Sequence, residues 1–530
     1  MSKFTQKQTP VAALLVLLFY ALILNLPYID LREFQGEEGR RIVIAANMVT
    51  SGDWLVPSVE GTVYMNKPPF YNWLLAIFFK LTASISETTA RIPSVAAAFL
   101  SALVLSVFYR KTCNVQTAWF ILPGLVFLTF PDVMDKAIRA EIDMTFTLII
   151  TISLLSWFYY HEICGRPAAA WTISLFCVGL GVLTKGIQAP AFFYCGVIPY
   201  LIYTRRWKGL FSPFHGIGLT ILAGIFFLWF IPFSKETGTD RVLHTWWTEI
   251  AVRTKPLGDS GGFFSHLARF PLEYFAAYAP WLFFLFLWSK SDAVPEMDNA
   301  RKVALFCSLC LLFSVPVYWL MPGARLRYIL PLACTLSLLV TIPLHLLVEE
   351  KRLEPLWVKS LFRVTGVLMV VAVLSFPFWG GRFKIFVAFS SLIFISGTFL
   401  SGCILALGKG FLRQRVIFLI VALLTVKLLW ASLYFPYHEK YLSHSRKAAE
   451  AINAILPGDA RLFDYAINNA HLAFYLGRPV KLISKHDVPS LKAGDYILTK
   501  KERAGEFNSS ELTFVLDIKA RGEVLALYRR

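Results

Sequence analysis

The chain has 530 residues, of which 56% are hydrophobic, 15% aromatic and only 16% charged, and its mean hydropathy is +0.58. A water-soluble protein of this length could not hide that much apolar surface, so the composition excludes one and implies a polytopic membrane protein. The net charge of +18 does not imply nucleic acid, because Lys and Arg gather in short loops between apolar runs, as orientation signals do.

In chain order, residues 1–10 carry two lysines and no acid ahead of the apolar run 11–29, and no small-x-small cleavage site follows. An uncleaved first span with a cytoplasmic N-terminus is expected. The first outer loop, 30–90, opens on "REFQGEEGRR" (32–41). Within it, "EEGRRIVIAANMVT" (37–50) has helical spacing and is expected along the membrane interface. "SGDWLVPSVEGTVYMNKPPFYNWLLAIFFKL" then predicts a turn, a short extended piece and a second amphipathic or re-entrant helix. Further spans are predicted near 92–109, 116–130, 144–160, 171–184, 187–203, 216–233, 275–288, 303–320, 329–348, 364–379, 385–407 and 416–435, about 13 in all with the first.

Alternate loops test that assignment. "RKTCN" (110–114), "TRRWKG" (204–209), "ARK" (300–302), "EEKRLEPLWVKSLFR" (349–363) and "GKGFLRQR" (408–415) all put bases close to helix ends and are expected in the cytoplasm. The remaining loops are then outside: 30–90, "PDVMDKAIRAEID" (131–143), the turn at Lys185–Gly186, 234–274 and "MPGARLRYILP" (321–331). They hold bases against the topological bias, and acids among them, which points to a site at the outer membrane surface. From about 437 the hydropathy falls. A helix at "RKAAEAINAIL", a helix "AHLAFYLG" ending at Gly477 and strands at "DYILTKK", "LTFVLDIK" and "EVLALYRR" predict a small C-terminal α/β domain, 437–530, after a membrane domain, 1–436. Cys307 and Cys310 form C-x-x-C inside an apolar run and read as small helix residues.

The order "EEGRR…SGDW…NKPPFYNW…ARIPS" in the first loop, followed by "RAEID" (139–143), "LTKG" (183–186) and "RLRYILP" (325–331), resembles the GT-C fold polyprenyl-phosphate-sugar glycosyltransferases. The branch it is most similar to is the aminoarabinose lipid A transferases, which are relatives of the protein O-mannosyltransferases. The resemblance runs in order through about the N-terminal two-thirds of the chain. It implies a lipid-linked sugar donor, inversion in a single displacement, and a glycolipid acceptor. Glu37 stands where the family has the aspartate of Asp-Glu-x-Arg, so the resemblance makes it the base that takes the acceptor's proton. Read alone, the same stretch is an interfacial helix whose acids suit its dipole and whose arginines meet headgroups.

Lys67, fixed before Pro68 and Pro69, and Arg40 are the expected cations for the leaving lipid phosphate. The family often has an acid before this lysine, where this chain has Asn66, so a divalent metal finds no support there and no cofactor is implied. Asp143 matches the family's second acid, with Arg139 and Glu141 beside it; read alone, "IDMTF" makes Asp143 a helix N-cap. Lys185, between two apolar runs, requires an anionic partner, either the lipid phosphate or Asp143. Arg253 and Lys255 in the fourth outer loop are candidate substrate contacts, and Arg327 and Tyr328 match the family's "RY-LP" at the sugar pocket. His244 and His266 lack ligand-like spacing with nearby acids.

No Walker A, G-x-G-x-x-G, nucleophile elbow or H-E-x-x-H motif is present. The expected place of the protein is a bacterial inner membrane, with the active site and C-terminal domain periplasmic and no nucleic-acid partner. The rival readings are a lipid or small-molecule transporter, a protein O-glycosyltransferase and a membrane scaffold.

Overall fold

The computed structural model describes residues 2–254, 262–289, 298–349, 355–382, 389–408, 410–465, 467, 469–506, 512–520 and 523–530. They divide into two compact units: Met1–Pro27, Asn66–Phe70 and Arg91–Leu433, and then Tyr28–Met65, Tyr71–Ala90 and Tyr434–Arg530.

The first unit is helical. Eight helices among the described residues of the chain are long and apolar enough to cross a membrane, or nine if Gly262–Tyr278 and Trp281–Trp288, bent by 96°, are one broken span. Several segments counted among the 13 sequence spans are shorter apolar helices: Pro10–Asn25, Ala118–Leu128 and Ser391–Leu407. The beginning of the span expected at 385–407 lies outside the described residues. The core is filled by Trp157, Trp171 and Trp281, and the Trp281 indole donates to Thr129 Oγ1 at 2.9 Å, so that no buried N–H is left unpaired there. Pro167–Lys185 and Pro213–Thr237 cross closely at Gly218, where a Cβ would stand 2.8 Å from the Trp171 carbonyl oxygen. Small residues at such crossings let helix backbones approach in lipid, where packing replaces the hydrophobic drive.

The second unit begins with the helix Glu38–Ser51, closed by Gly52 in the left-handed region (φ 76°), whose N–H bonds back to the Met48 carbonyl. A hairpin follows, β1 (Ser58–Val59) against β2 (Thr62–Val63), with Glu60 and Gly61 both at positive φ at its tip. The C-terminal part carries a five-stranded sheet. Its strands are β3 (Leu462–Tyr465), β4 (Val480–Leu482), β5 (Tyr496–Lys500), β6 (Thr513–Ala520) and β7 (Glu523–Arg529), in the order β4-β3-β5-β7-β6. β3 runs parallel to β4 and β5, and β7 runs antiparallel to β5 and β6. The hairpin tip joins this sheet's edge, the Leu482 N–H donating to the Glu60 carbonyl at 3.2 Å.

Glu33 ties the first loop to the C-terminal helix His444–Asn453. Its Oε2 accepts from Ser443 Oγ at 3.1 Å, Ser445 N at 3.0 Å and Arg446 N at 3.3 Å. A buried carboxylate here satisfies the open N–H groups of the first turn and suits the helix dipole.

Candidate active site

In the first unit the charges of the loops expected outside gather around the start of the helix Ile142–Phe158. Its N-cap is Glu141, extended at φ −120° and ψ 157°. The expected N-cap at Asp143 is therefore displaced by two residues, because the chain turns tightly just before, Glu141 N bonding to the Arg139 carbonyl at 2.8 Å. Asp143 sits one residue inside the helix, which frees its carboxylate for another partner. Lys185 ends the helix Pro167–Lys185, which Gly186 terminates at φ 69°. Lys185 Nζ and Asp143 Oδ1 lie 2.6 Å apart with side chains only 4% and 3% exposed. An acid at one helix's N-terminus and a base at another's C-terminus each also gain from the helix dipoles. The Lys185 ammonium lies 5.2 Å from the ring centres of both Phe146 and Tyr328, so two aromatic faces share its charge.

Tyr328 leads to the rest of the cluster. The Arg327 guanidinium lies 5.9 Å from its ring centre and 3.3 Å from Glu141 Oε2, which also meets Lys136 Nζ at 3.4 Å. Asp135 takes Arg139 at 2.7 Å and Lys136 at 3.4 Å. Burial pushes the Asp132 carboxyl up to about 6; Lys136 and Arg139 oppose that shift, and Asp135 and Asp143 add to it. The structure thus brings Asp143, Lys185, Glu141, Arg139, Arg327 and Tyr328 into one network. The sequence reading passed over Asp132, Asp135 and Lys136, whose only signal was three charges crowded into "PDVMDK".

Lys67 belongs to the same unit. Its ammonium stands 3.6 Å from Glu249 Oε2, and the neighbouring Asn66 amide donates to Glu249 Oε1 at 2.8 Å. Glu249 lies on the helix Thr239–Thr254 and was not singled out in the sequence. Of the candidates in that loop, Lys255 and the side chain of Arg253 lie outside the described residues.

In the second unit Glu37 is the N-cap residue of Glu38–Ser51, and its Oε2 meets Arg40 Nη1 at 2.9 Å, with both side chains partly exposed. Gly39 between them is required by a close approach: a Cβ would stand 2.9 Å from the His471 backbone nitrogen and 2.8 Å from its ring. Arg41 is buried and donates to Tyr64 Oη at 3.1 Å. Glu60 is buried at 7% exposure, and its Oε1 has no hydrogen-bond partner among the described residues. Burial pushes its carboxyl up to about 7, Asp464 adds to the shift, and Arg40 opposes it. Among the described residues no group of three or more His, Cys, Asp or Glu side chains is placed to hold a metal ion.

Comparison with solved structures gives the architecture. The chain superposes on ArnT from Cupriavidus metallidurans bound to undecaprenyl phosphate with a TM-score of 0.73 at 19% identity, covering 98% of this chain and 97% of that one. The fold is ArnT-like, of the GT-C type. The family model for dolichyl-phosphate-mannose-protein mannosyltransferase matches residues 66–231 of this ArnT-like chain. Among curated relatives, the undecaprenyl phosphate-alpha-4-amino-4-deoxy-L-arabinose arabinosyl transferase of Aeromonas salmonicida is 30% identical over 211 residues, 39% of this chain and 38% of its own. The enzyme of the same name from Pseudomonas aeruginosa is 26% identical over 334 residues, 60% of this chain and 56% of its own. The chain therefore spans about half the length of the curated relatives it matches.

Proposed function

We propose that this chain is an integral-membrane glycosyltransferase. It takes a sugar from a polyprenyl phosphate and delivers it to a glycolipid of the lipid A or lipopolysaccharide type, at the periplasmic face of a bacterial inner membrane. The observation that carries the reading is where the buried charge sits. Asp143 is the second residue of its span, Lys185 the last of its own, and the half-buried Arg327 beside them the second of Leu326–Glu349. A transporter keeps such groups near mid-membrane on broken helices; a scaffold gives no reason to bury them at all. The names of the curated relatives and of the superposed structure support undecaprenyl phosphate as the donor lipid.

In the proposed reaction an acceptor oxygen attacks the anomeric carbon as the carbon–oxygen bond to the lipid phosphate breaks, with inversion. The bonding pair leaves on the phosphate, and the acceptor's proton passes to a carboxylate. Lys67 balances the phosphate charge where it develops, with Arg40 assigned the same role by the resemblance. Asp143 holds Lys185 in place, and Arg327 and Tyr328, oriented through Glu141, line the sugar side. Glu37 is the proposed proton acceptor. The Arg40 guanidinium, 2.9 Å from its Oε2, fixes the direction of that carboxylate.

Membranes carrying the protein, supplied with extracted polyprenyl-phosphate sugars and a glycolipid mixture, test the reading by mass spectrometry. The expected result is a pentose- or hexose-sized increment on the glycolipid, reduced about 100-fold or more in Glu37→Ala. An equal increment from both proteins removes Glu37 as the base. A sugar increment on protein instead of glycolipid replaces the acceptor class, and transbilayer movement of the donor without transfer replaces the reading by the transporter.

A further inference from the structure

The proposed donor site has a difficulty that its own charges raise. The acids Asp135, Glu141, Asp143 and Glu249 already contact the bases Lys67, Lys136, Arg139, Lys185 and Arg327. An arriving phosphate must therefore take a base from an acid, and the acids differ in how readily they can yield. Glu141 and Asp143 are each 3% exposed, and the Asp143 pair is closed at 2.6 Å. Taking away their bases would leave a buried charge uncompensated. Asp135 lies one residue from Lys136 and four from Arg139 on the same short stretch, so it cannot move away from them independently.

Glu249 is different in each respect. It is 30% exposed, stands off from Lys67 at 3.6 Å, and reaches it from a helix that is remote in sequence, 183 residues beyond Asn66. It can leave without moving the backbone that carries Lys67. Its carboxylate also spans two donors, the Asn66 amide at 2.8 Å and the Lys67 ammonium. An amide N–H and an ammonium on adjacent residues, both aimed at the two oxygens of one anion, form the donor set that would equally hold the two non-bridging oxygens of a lipid-linked phosphate.

We propose that Glu249 is an internal counter-ion occupying the seat of the donor phosphate on Asn66 and Lys67, and that the lipid phosphate binds by displacing it. Asn66 thereby becomes a phosphate ligand in its own right. The amide suits both occupants, since it donates to either, whereas an acid at 66 would repel Glu249 and the phosphate alike. The inference rests on the proposed function, because it takes Lys67 to be where the donor phosphate binds.

The test is equilibrium binding of radiolabelled undecaprenyl phosphate to the full-length protein in nanodiscs, with undecaprenol as the uncharged comparison. Glu249→Gln keeps an oxygen for the Asn66 amide while removing the charge, and it should bind the phosphate lipid roughly threefold to tenfold more tightly. Its binding of undecaprenol should not change. Asn66→Ala and Lys67→Met should each weaken the phosphate lipid alone. If Lys67→Met weakens binding but Glu249→Gln does not tighten it, Glu249 is a positioning residue and the displacement is wrong while the donor site stands. Tightening of undecaprenol to the same degree would mean general loosening of the fold and overturns the displacement as well. If the wild type does not prefer the phosphate lipid, or Lys67→Met binds it unchanged, the donor site itself falls and this inference falls with it.

Discussion

Two buried acids, one in each unit, are handled in opposite ways. Asp143 has its base in contact, Lys185 at 2.6 Å. Glu60 is buried with an oxygen that has no hydrogen-bond partner among the described residues and with Asp464 rather than a base as the strongest neighbouring influence. The first arrangement keeps a charge inside the protein and fixes its direction. The second makes the charge costly, so the fold favours the protonated acid. Burial alone therefore does not set the charge of a carboxylate here; the partner supplied to it does.

The sharpest way to break the contrast is to remove the base. Lys185→Met leaves Asp143 buried and uncompensated, and should cost about 3–5 kcal/mol, read as a large loss of thermal stability in detergent. Asp143→Asn combined with Lys185→Met should recover most of that loss, because a neutral pair has no charge left to desolvate. A double variant as unstable as the single one would show that the packing, not the charge, was at stake.

Glu60 should respond to pH instead. Its folded value of about 7 lies above the ordinary 4.5, so between those values the folded protein keeps a proton that the unfolded chain has released. Stability is then fully present below the lower value, falls as pH rises through this window, and stays low above it. Glu60→Gln should remove that slope and stabilise the protein at pH 8 by up to about 3 kcal/mol. A wild-type melting temperature that does not fall between pH 5 and pH 8 relative to the Gln variant would show that Glu60 is ionised in the fold.

The smallest effect on stability is expected at Lys67, which is partly exposed and pairs with Glu249 only at 3.6 Å. Lys67→Met should change stability by less than about 1 kcal/mol, yet reduce sugar transfer by about 100-fold. Equal damage to stability and transfer would place Lys67 with Lys185 as a group the fold needs.

What could be read from the sequence follows the same division between local and distant causes. The helix Glu38–Ser51, its glycine stop and the helix ending at Gly477 follow local chemistry and were legible. So were β5, β6 and β7, which alternate or run apolar for several residues. β3 and β4 were not, because "LFDY" and "VKL" are too short to show a period and exist through parallel pairing with β5 and with each other. The spans were legible as apolar runs. Where they break was not, since hydropathy cannot see Ala118–Ile121 wind as a 3-10 turn before Leu122–Leu128, or the bend of 96° ahead of Trp281–Trp288. Among the site residues, Lys185 was conspicuous because a lone base between apolar runs demands a partner. Glu249 looked like any surface acid, since what distinguishes it lies 183 residues away.

The Glu33 cap has a consequence for how the protein is made. Glu33 leaves the ribosome long before the helix it caps, the two being separated by as many as 413 residues. At ordinary synthesis rates that gap is roughly 20–80 s. During it the buried face of Glu38–Ser51 exists without the C-terminal segment that covers it, and must rest on the membrane interface or on a chaperone. The region synthesised among the first is thus completed among the last. Nascent chains arrested before residue 443 should show residues 28–65 open to protease even when the spans behind them are already in the membrane.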